Sequence, residues 1–164
     1  MSKEIDIEYY HQLALQKQKE HRKVLANLKK KPPKNLDKIA QQIHQEVFAE
    51  IDCTVCANCC KTLGPDFKEA DITRIAKYFK MKLPAFEAEF LQVDEDGDKV
   101  FKSMPCPFLG GDNLCSIYDV RPKACREFPH TDRKKIYQIN HLTIRNTLTC
   151  PAAYLFVEKL KDKL

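Results

Sequence analysis

Long hydrophobic runs are missing from this 164-residue chain. No apolar run reaches the roughly 18 residues that a membrane-spanning helix requires, so the sequence predicts no membrane contact. Residues 1–6 (MSKEID) do not pair a basic stretch with an apolar one, and we expect no secretory signal peptide. We therefore expect a cytoplasmic protein, whose thiols are kept reduced.

Motifs of several common functions are missing as well. The chain has only four glycines and no glycine-rich phosphate loop, RNP motif or helix-turn-helix pattern. Part of its net charge of +5 lies in KKKPPK at 29–34, which suits a solvated linker between helices better than a nucleic-acid contact. No Ser-His-Asp arrangement or motif-placed pair of carboxylates is present. Nucleic acid is therefore not expected as a partner, and the sequence leaves open whether the chain is an enzyme.

A calcium loop is only partly represented. Residues 94–98 (DEDGD) alternate carboxylates with a glycine, but Ser103 stands where the terminal glutamate of such a loop is required. We predict a turn that leads into a short strand at 99–103.

What the chain does contain is cysteine. Four of its eight cysteines lie within eight residues, in CTVCANCC at 53–60, and the other four are spread over the second half. The eight are Cys53, Cys56, Cys59, Cys60, Cys106, Cys115, Cys125 and Cys150. An even number also suits disulfides, but in a reducing compartment such a framework favours metal binding. We predict all eight as candidate metal ligands.

The ligand chemistry points to soft metals. Four thiolates suit tetrahedral zinc or an iron–sulfur cluster, including a 4Fe–4S cluster. Two Cys-x2-Cys spacings overlap at 53–59, and Cys60 follows directly, which differs from a ferredoxin motif. Because adjacent side chains of an extended segment point in opposite directions, Cys59 and Cys60 are not expected to serve one ion in the same way. Eight thiols can fill two sites, or one site with thiols to spare.

The remaining pattern predicts a mainly α-helical fold, with a small β-hairpin or short strands around a cysteine-rich metal centre. Residues 4–31 are rich in helix formers, and two prolines at 32–33 end that helix. We divide the chain into an N-terminal helical arm with its Lys/Pro linker at 1–34 and a cysteine-cluster metal-binding domain at 35–164. The arm suits a protein partner as well as packing against its own domain.

Other elements are predicted from spacing and caps. Apolar residues at helical spacing between 36 and 51 predict an amphipathic helix that leads into the cysteine cluster. Asp119 is placed to cap a short helix around Cys125, and Thr149 to cap a last helix. Alternation at 135–142 predicts a strand.

Between residues 53 and 129 the chain resembles the small bacterial YkgJ-type cysteine-cluster proteins. The matching pieces are CxxCxxCC at 53–60, CPFL at 106–109, CxIY at 115–118, RP at 121–122 and CRxFP at 125–129. The resemblance implies zinc or iron chelation through these cysteines and no biochemical role beyond it. A more distant resemblance to flagellin lysine methylases carries no function over, because the chain has no methyl-donor motif.

Three functions follow from this pattern. The metal is structural and a protein partner binds the N-terminal helix, or the centre is a redox-active or catalytic iron–sulfur site, or the protein stores or delivers metal. Arg121 and Arg126 are placed to offset thiolate charge, to bind an anionic partner, or to pair with nearby carboxylates. Tyr118 and Phe128 are expected to pack around the site. His130 is a weaker candidate ligand, since a surface histidine explains it better.

Overall fold

A computed structural model describes residues 4–164, most of them in helices. The helices are α1 (Ile7–Lys30), α2 (Leu36–Glu50), α3 (Cys53–Cys56), α4 (Asn58–Thr62), α5 (Glu69–Tyr78), α6 (Leu83–Phe90), α7 (Lys123–Glu127), α8 (Asn140–Thr149) and α9 (Pro151–Lys163). Three short strands are β1 (Asp66–Phe67), β2 (Leu91–Val93) and β3 (Lys99–Phe101), and 3₁₀ turns cover Tyr118–Val120 and Ile136–Ile139. The predicted helical fold with short strands is confirmed.

The chain divides into two compact units. The helical unit comprises Met1–Cys56 and Pro129–Leu164, and the mixed unit comprises Ala57–Phe128. Residues 1–3, which belong to the segment analysed above for a signal peptide, lie outside the described residues. Within the described part of the chain, no helix has both the length and the apolar character needed to cross a membrane.

Four longer helices build the helical unit. Helix α1 starts where Asp6 Oδ1 accepts a hydrogen bond from the Tyr9 N–H at 2.9 Å. It packs against α8 and α9, and α2 also packs against α9. Their apolar stripes meet in one core, whose most deeply buried members include Leu25, Ile43 and Phe156. Packing of α1 against its own unit is therefore observed, and a protein partner for its exposed side stays a prediction.

The strand predicted at 135–142 is wrong. This segment forms the second 3₁₀ turn and the start of α8. Ile136, Ile139 and Ile144 all contact the helical core, and their spacing fits a helix better than an alternating strand. Asn140 adds a tertiary contact, because its Nδ2 donates to the Leu25 carbonyl at 2.8 Å.

The mixed unit contains a small antiparallel sheet in the order β1-β3-β2. Val100 in β3 is the partner of Asp66 on one side and of Gln92 on the other. The acidic segment is the predicted turn between β2 and β3, where Asp94 Oδ1 accepts from the Asp98 N–H at 2.9 Å. Aromatic rings fill the core of this unit around the fully buried Phe86.

Candidate metal centre

The two units divide the eight cysteines between them. Cys53, Cys56 and Cys150 belong to the helical unit, whereas Cys59, Cys60, Cys106, Cys115 and Cys125 belong to the mixed unit. None of the eight forms a disulfide in the part of the chain that the structure describes. Ligand sets can therefore be considered within each unit separately.

Helix α4 carries the adjacent pair Cys59 and Cys60. It begins after Ala57, whose φ is 47°, and is followed by Gly64 at φ 65°. The predicted opposition of the two side chains assumed an extended segment, but this segment is helical. A hydrogen bond from the thiol of Cys59 lowers the pKa of Cys60 to about 7. The helix therefore presents one thiol that ionises near neutral pH and a neighbour that supports it.

Cys106 lies beside this pair. Its backbone N–H donates to the Cys60 carbonyl at 2.8 Å, which ties the two segments together. Burial raises the pKa of the Cys106 thiol to about 11, although the backbone N–H groups of Phe108 and Leu109 favour its thiolate. The Phe108 ring stacks on Phe79 at 5.2 Å between centroids. The aromatic core of the unit thus fixes the loop that carries Cys106.

A tight loop brings Cys115 back toward Cys106. The Gly110 N–H donates to the Leu114 carbonyl at 2.9 Å, and Asp112 Oδ1 accepts from the Leu114 N–H at 3.0 Å. Cys115 is bridged to Leu109 as an antiparallel pair. Burial raises the pKa of Cys115 too, whereas the Ile117 N–H lowers it. Gly110 and Asp112 thus close a tight turn in this loop.

Cys125 is held in place from another helix, by the buried Asp71 and its half-buried partner Arg74. Asp71 Oδ1 on α5 accepts from the Lys123 N–H, in the first turn of α7, at 3.1 Å, and from Arg74 Nη2 at 2.8 Å. Arg74 also donates to the Arg121 carbonyl at 2.9 Å. Burial alone would raise the pKa of Asp71, but Arg74 and the backbone N–H donors outweigh it, and this pKa lies below its usual range.

The prediction that Asp119 caps α7 is therefore wrong, because a different aspartate contacts the start of this helix. Asp119 lies in the preceding 3₁₀ turn and is exposed, whereas Asp71 contacts the start of α7 from 52 positions earlier in the sequence. Asp71 occupies the third position of α5, where an acid is ordinarily explained by local capping, and its own Oδ2 does accept from the Lys68 N–H at 3.0 Å. The sequence did not predict the contact of Asp71 with α7, because no neighbouring residue in the sequence indicates it.

Charge interactions join four thiols of the mixed unit. Desolvation by surrounding atoms raises the pKa of the Cys125 thiol, although the residue as a whole is exposed, and three other cysteines raise it further. Those three are Cys60, Cys106 and Cys115. The Arg121 guanidinium lowers the pKa of Cys115 and of Cys125, as expected for a charge that offsets thiolates. It stacks over the Tyr118 ring at 3.9 Å.

The helical unit holds its three cysteines on two segments. Cys53 and Cys56 are one turn apart on α3, where Asp52 Oδ1 accepts from the Thr54 N–H at 2.8 Å. Cys150 precedes Pro151 at the start of α9, so the predicted cap at Thr149 is displaced by one residue. Burial raises the pKa of Cys150 to about 12, and the charges of Cys53 and Cys56 also raise it.

The family can be read from this cysteine framework. The family model CxxCxxCC, described as a "putative zinc- or iron-chelating domain", matches residues 52–150, well over half of the chain. The chain belongs to the CxxCxxCC family. Its matched segment contains all eight cysteines and excludes α1, α2 and α9. No curated protein and no solved structure is similar enough to the chain to match it.

The side chains of this CxxCxxCC protein fit the metals of the family description. Thiolate sulfur is a preferred donor for zinc and for iron–sulfur clusters, and each unit supplies at least three thiols. Among the residues that the structure describes, no three His, Cys, Asp or Glu side chains already converge closely enough to hold an ion.

Proposed function

We propose that this protein binds zinc or iron through a four-thiolate centre in the mixed unit, formed by Cys60, Cys106, Cys115 and Cys125. The observation that carries the proposal is that these thiols come from four separate segments and yet act on one another's pKa values. The family description supports the choice of metals.

The surroundings of the four thiols support thiolate ligation. Backbone N–H groups favour the thiolates of Cys106 and Cys115, and Arg121 supplies a positive charge to a centre that would carry a net negative one with zinc. Cys60 is assigned as a ligand because its charge acts on the other three thiols. Cys59 would support Cys60 through their hydrogen bond.

Zinc is our first choice of metal, in a structural role. Four protein thiolates would fill all positions of a tetrahedral ion, which is typical of structural zinc sites. Such a centre would tie α4, the 106–115 loop and α7 together and contribute to folding. Reduced thiols are required, so this function goes with the cytoplasm, and the exposed side of α1 is where we place a protein partner.

An iron–sulfur centre is the second candidate, because the same soft donors suit it and the family description includes iron. Bound to these four cysteines, a 4Fe–4S cluster would supply one-electron redox chemistry. Metal storage or delivery is the third, and it differs in requiring exchangeable metal whose removal leaves the fold intact.

The test is anaerobic purification followed by metal analysis and a visible spectrum of the same sample. Colourless protein with zinc supports the structural centre, whereas brown protein with iron and acid-labile sulfide supports the redox centre. Cys125→Ser should lose one metal equivalent, and Cys59→Ser, the matched control, should keep it. Equal metal contents in both variants would contradict the ligand set, and a metal-free protein would contradict the function.

A further inference from the structure

The surface between α5 and α6 in the mixed unit is both apolar and basic. Tyr78 and Phe79, at the C-terminal end of α5, are 53% and 37% exposed, and Leu83 at the start of α6 is 42% exposed. Single exposed apolar side chains are common, but a group of them marks a contact surface. Three exposed lysines lie among them. We call this surface the basic-aromatic patch, which comprises Lys77, Tyr78, Phe79, Lys80, Lys82 and Leu83.

The aromatic rings of the patch are held in place by the core beneath them. The Phe79 ring stacks on Phe108 at 5.2 Å between centroids, and the Tyr78 ring meets Phe79 edge-on, also at 5.2 Å. The Tyr78 hydroxyl donates to the Ser116 carbonyl at 3.4 Å. Rings that are already fixed lose little conformational entropy when a partner covers them. They are therefore suited to anchor a contact with another molecule.

The lysines of the patch lack a counter-ion. Elsewhere in the mixed unit, Lys99 is bound by Glu69 and Glu87 at 2.7 and 2.8 Å. None of the three patch lysines forms an ion pair with a carboxylate within residues 4–164, the part of the chain that the structure describes. A partner that covers the patch should therefore bring apolar and acidic side chains together.

Local structure does not favour two of these lysines. Lys80 adopts a φ of 54°, in the left-handed region where glycine is unstrained. Lys82 is the N-cap of α6, next to the positive end of the helix dipole, where an acceptor side chain is usual. Lys77 is explained locally, since a cation in the last turn of α5 is favourable. The other two charges suit an acidic partner better than they suit the local fold.

The chain itself carries a surface of complementary chemistry. In the turn between β2 and β3, Asp94 Oδ1 accepts from the N–H groups of Asp96 and Asp98 at 3.0 and 2.9 Å. Asp94 thus closes the turn, whereas Glu95 and the Asp96 side chain are exposed and have no ion-pair partner among the described residues. Val93, which precedes the turn, is 65% exposed. We call Val93, Glu95 and Asp96 the acidic tip.

We propose that the basic-aromatic patch of one copy binds the acidic tip of a second copy of this chain. The patch lysines pair with the tip carboxylates, and the exposed rings cover Val93. Both surfaces belong to the mixed unit, and neither contains a cysteine, so the contact does not involve the metal ligands. Because every copy carries both surfaces, two copies can exchange the contact reciprocally, as closed dimers do.

Sedimentation velocity of the full chain, as purified and with a reductant present, tests the proposal. We expect the mass to rise from one chain toward two with concentration at about 0.05 M salt, and less at about 1 M salt, where charges are screened. Lys77→Glu/Lys80→Glu and Glu95→Lys/Asp96→Lys should each weaken association at least about tenfold, because like charges then face each other. All four side chains are exposed, and Asp94 is left intact to close the turn.

Mixing the two charge-reversed variants is the decisive measurement. In the mixture an acidic patch meets a basic tip, and a basic patch meets an acidic tip, so association should return. Circular dichroism first checks that each variant is folded, and misfolding cannot produce such a recovery. Lys29→Glu/Lys30→Glu is the matched control, because it reverses two exposed charges in the last turn of α1, and it should associate like the unaltered chain.

Three outcomes would overturn the proposal. The first needs no variant and is an unaltered chain that stays monomeric at low salt up to about 1 mM. The second is association that both charge reversals leave unchanged, since another surface would then be responsible. The third is a monomeric chain that binds a labelled oligouridylate or phosphatidylserine vesicles and loses this binding in Lys77→Glu/Lys80→Glu. That result would assign the patch to phosphate groups instead of a second copy.

Discussion

Single thiols in this protein differ widely in the energy needed to ionise them. The pKa of Cys60 lies at about 7, close to neutral pH, because Cys59 donates a hydrogen bond to it, whereas burial raises that of Cys106 to about 11. A metal binds thiolates, so each thiol that is protonated in the metal-free chain must release its proton on binding. The order in which these side chains ionise therefore sets how metal affinity depends on pH.

The first prediction is that metal affinity of the mixed unit falls as the pH is lowered. Cys106, Cys115 and Cys125 have raised pKa values and are protonated at neutral pH, so each should reduce the apparent affinity about tenfold per pH unit below its pKa. Cys60 should add to this slope only below about pH 7. Competition with a chromophoric chelator between about pH 6 and pH 9 measures the slope. An affinity independent of pH would contradict the assignment of these thiols as ligands.

The second prediction concerns the buried carboxylate that holds α7. Asp71→Asn removes the charge that pairs with Arg74 and weakens the bond to the Lys123 N–H. We expect a loss of about 1–3 kcal/mol in the free energy of unfolding, because hydrogen bonds to a buried charged acceptor are weakened, whereas the half-buried Arg74 regains contact with water. Asp119→Asn is the matched control and should change stability by less than about 0.5 kcal/mol, because that side chain is exposed.

The pH dependence of this pair has a definite sign. The pKa of Asp71 is lowered in the folded protein, so its stabilising effect is present above the pKa of an unfolded aspartate, about 3.9. It is lost as the pH falls through the lower folded value. Urea unfolding at neutral and at acidic pH should show the difference between Asp71→Asn and the unaltered chain shrink in acid. A difference that persists undiminished would show that Asp71 acts through its shape alone.

Among the secondary-structure elements, the short helix α4 depends on how its C-terminal end is closed. Gly64 follows it with a φ of 65°, and its N–H donates to the Cys59 carbonyl at 3.2 Å. A Cβ at this position would lie 2.9 Å from Met104 Sδ. Backbone strain and a steric contact thus both oppose any other residue here.

The third prediction separates these two effects with three glycine variants. Gly64→Ala should cost about 1–3 kcal/mol of folding free energy, because it adds a steric contact to left-handed strain. Gly97→Ala meets the strain alone, at a φ of 84° with open space around its Cβ, and should cost about 1 kcal/mol. Gly111→Ala meets neither and should be close to neutral. Equal costs for the first two variants in urea unfolding would contradict a role for the contact with Met104.

Local sequence predicted the elements whose signals are local. The proline pair that follows α1, the turn at 94–98 and the apolar stripe of α2 all depend on neighbours within one or two turns, and the structure contains each of them. The prediction of a strand at 135–142 was wrong because the few apolar residues of this segment fit both the period of a strand and that of a helix. Packing against the helical core decides in favour of the helix. Asp71 was missed because its partner Lys123 lies far along the chain.

The candidate site was likewise predicted where the signal is local and not where it depends on tertiary structure. Cysteine type and spacing predicted which residues to consider and which metals suit them, because ligand chemistry belongs to the side chain itself. Their grouping was left open, since it depends on which unit each segment joins. Cys56 and Cys59 are only three residues apart in the sequence, and yet they belong to different units. No spacing rule reveals such a boundary.

The molecule as a whole combines two units that are stabilised in different ways. The helical unit contains helices of up to 24 residues around a continuous apolar core, so backbone hydrogen bonds and burial stabilise it. The mixed unit is built from strands of two or three residues and helices of at most ten. Its cysteine-bearing segments, α4 and α7, are single turns of five residues, which are marginal without tertiary support.

The fourth prediction follows from this difference and is made for metal removal. Chelation should speed amide hydrogen exchange in α4, in residues 104–116 and in α7, because the metal would be the main tie among these short segments. Helices α1, α2 and α8 should keep their protection, since a buried core holds them. The start of α9 should respond only if Cys150 is also a ligand. Cys59→Ser serves as the control that keeps its metal, and uniform loss of protection across both units would show instead that the metal stabilises the whole chain cooperatively.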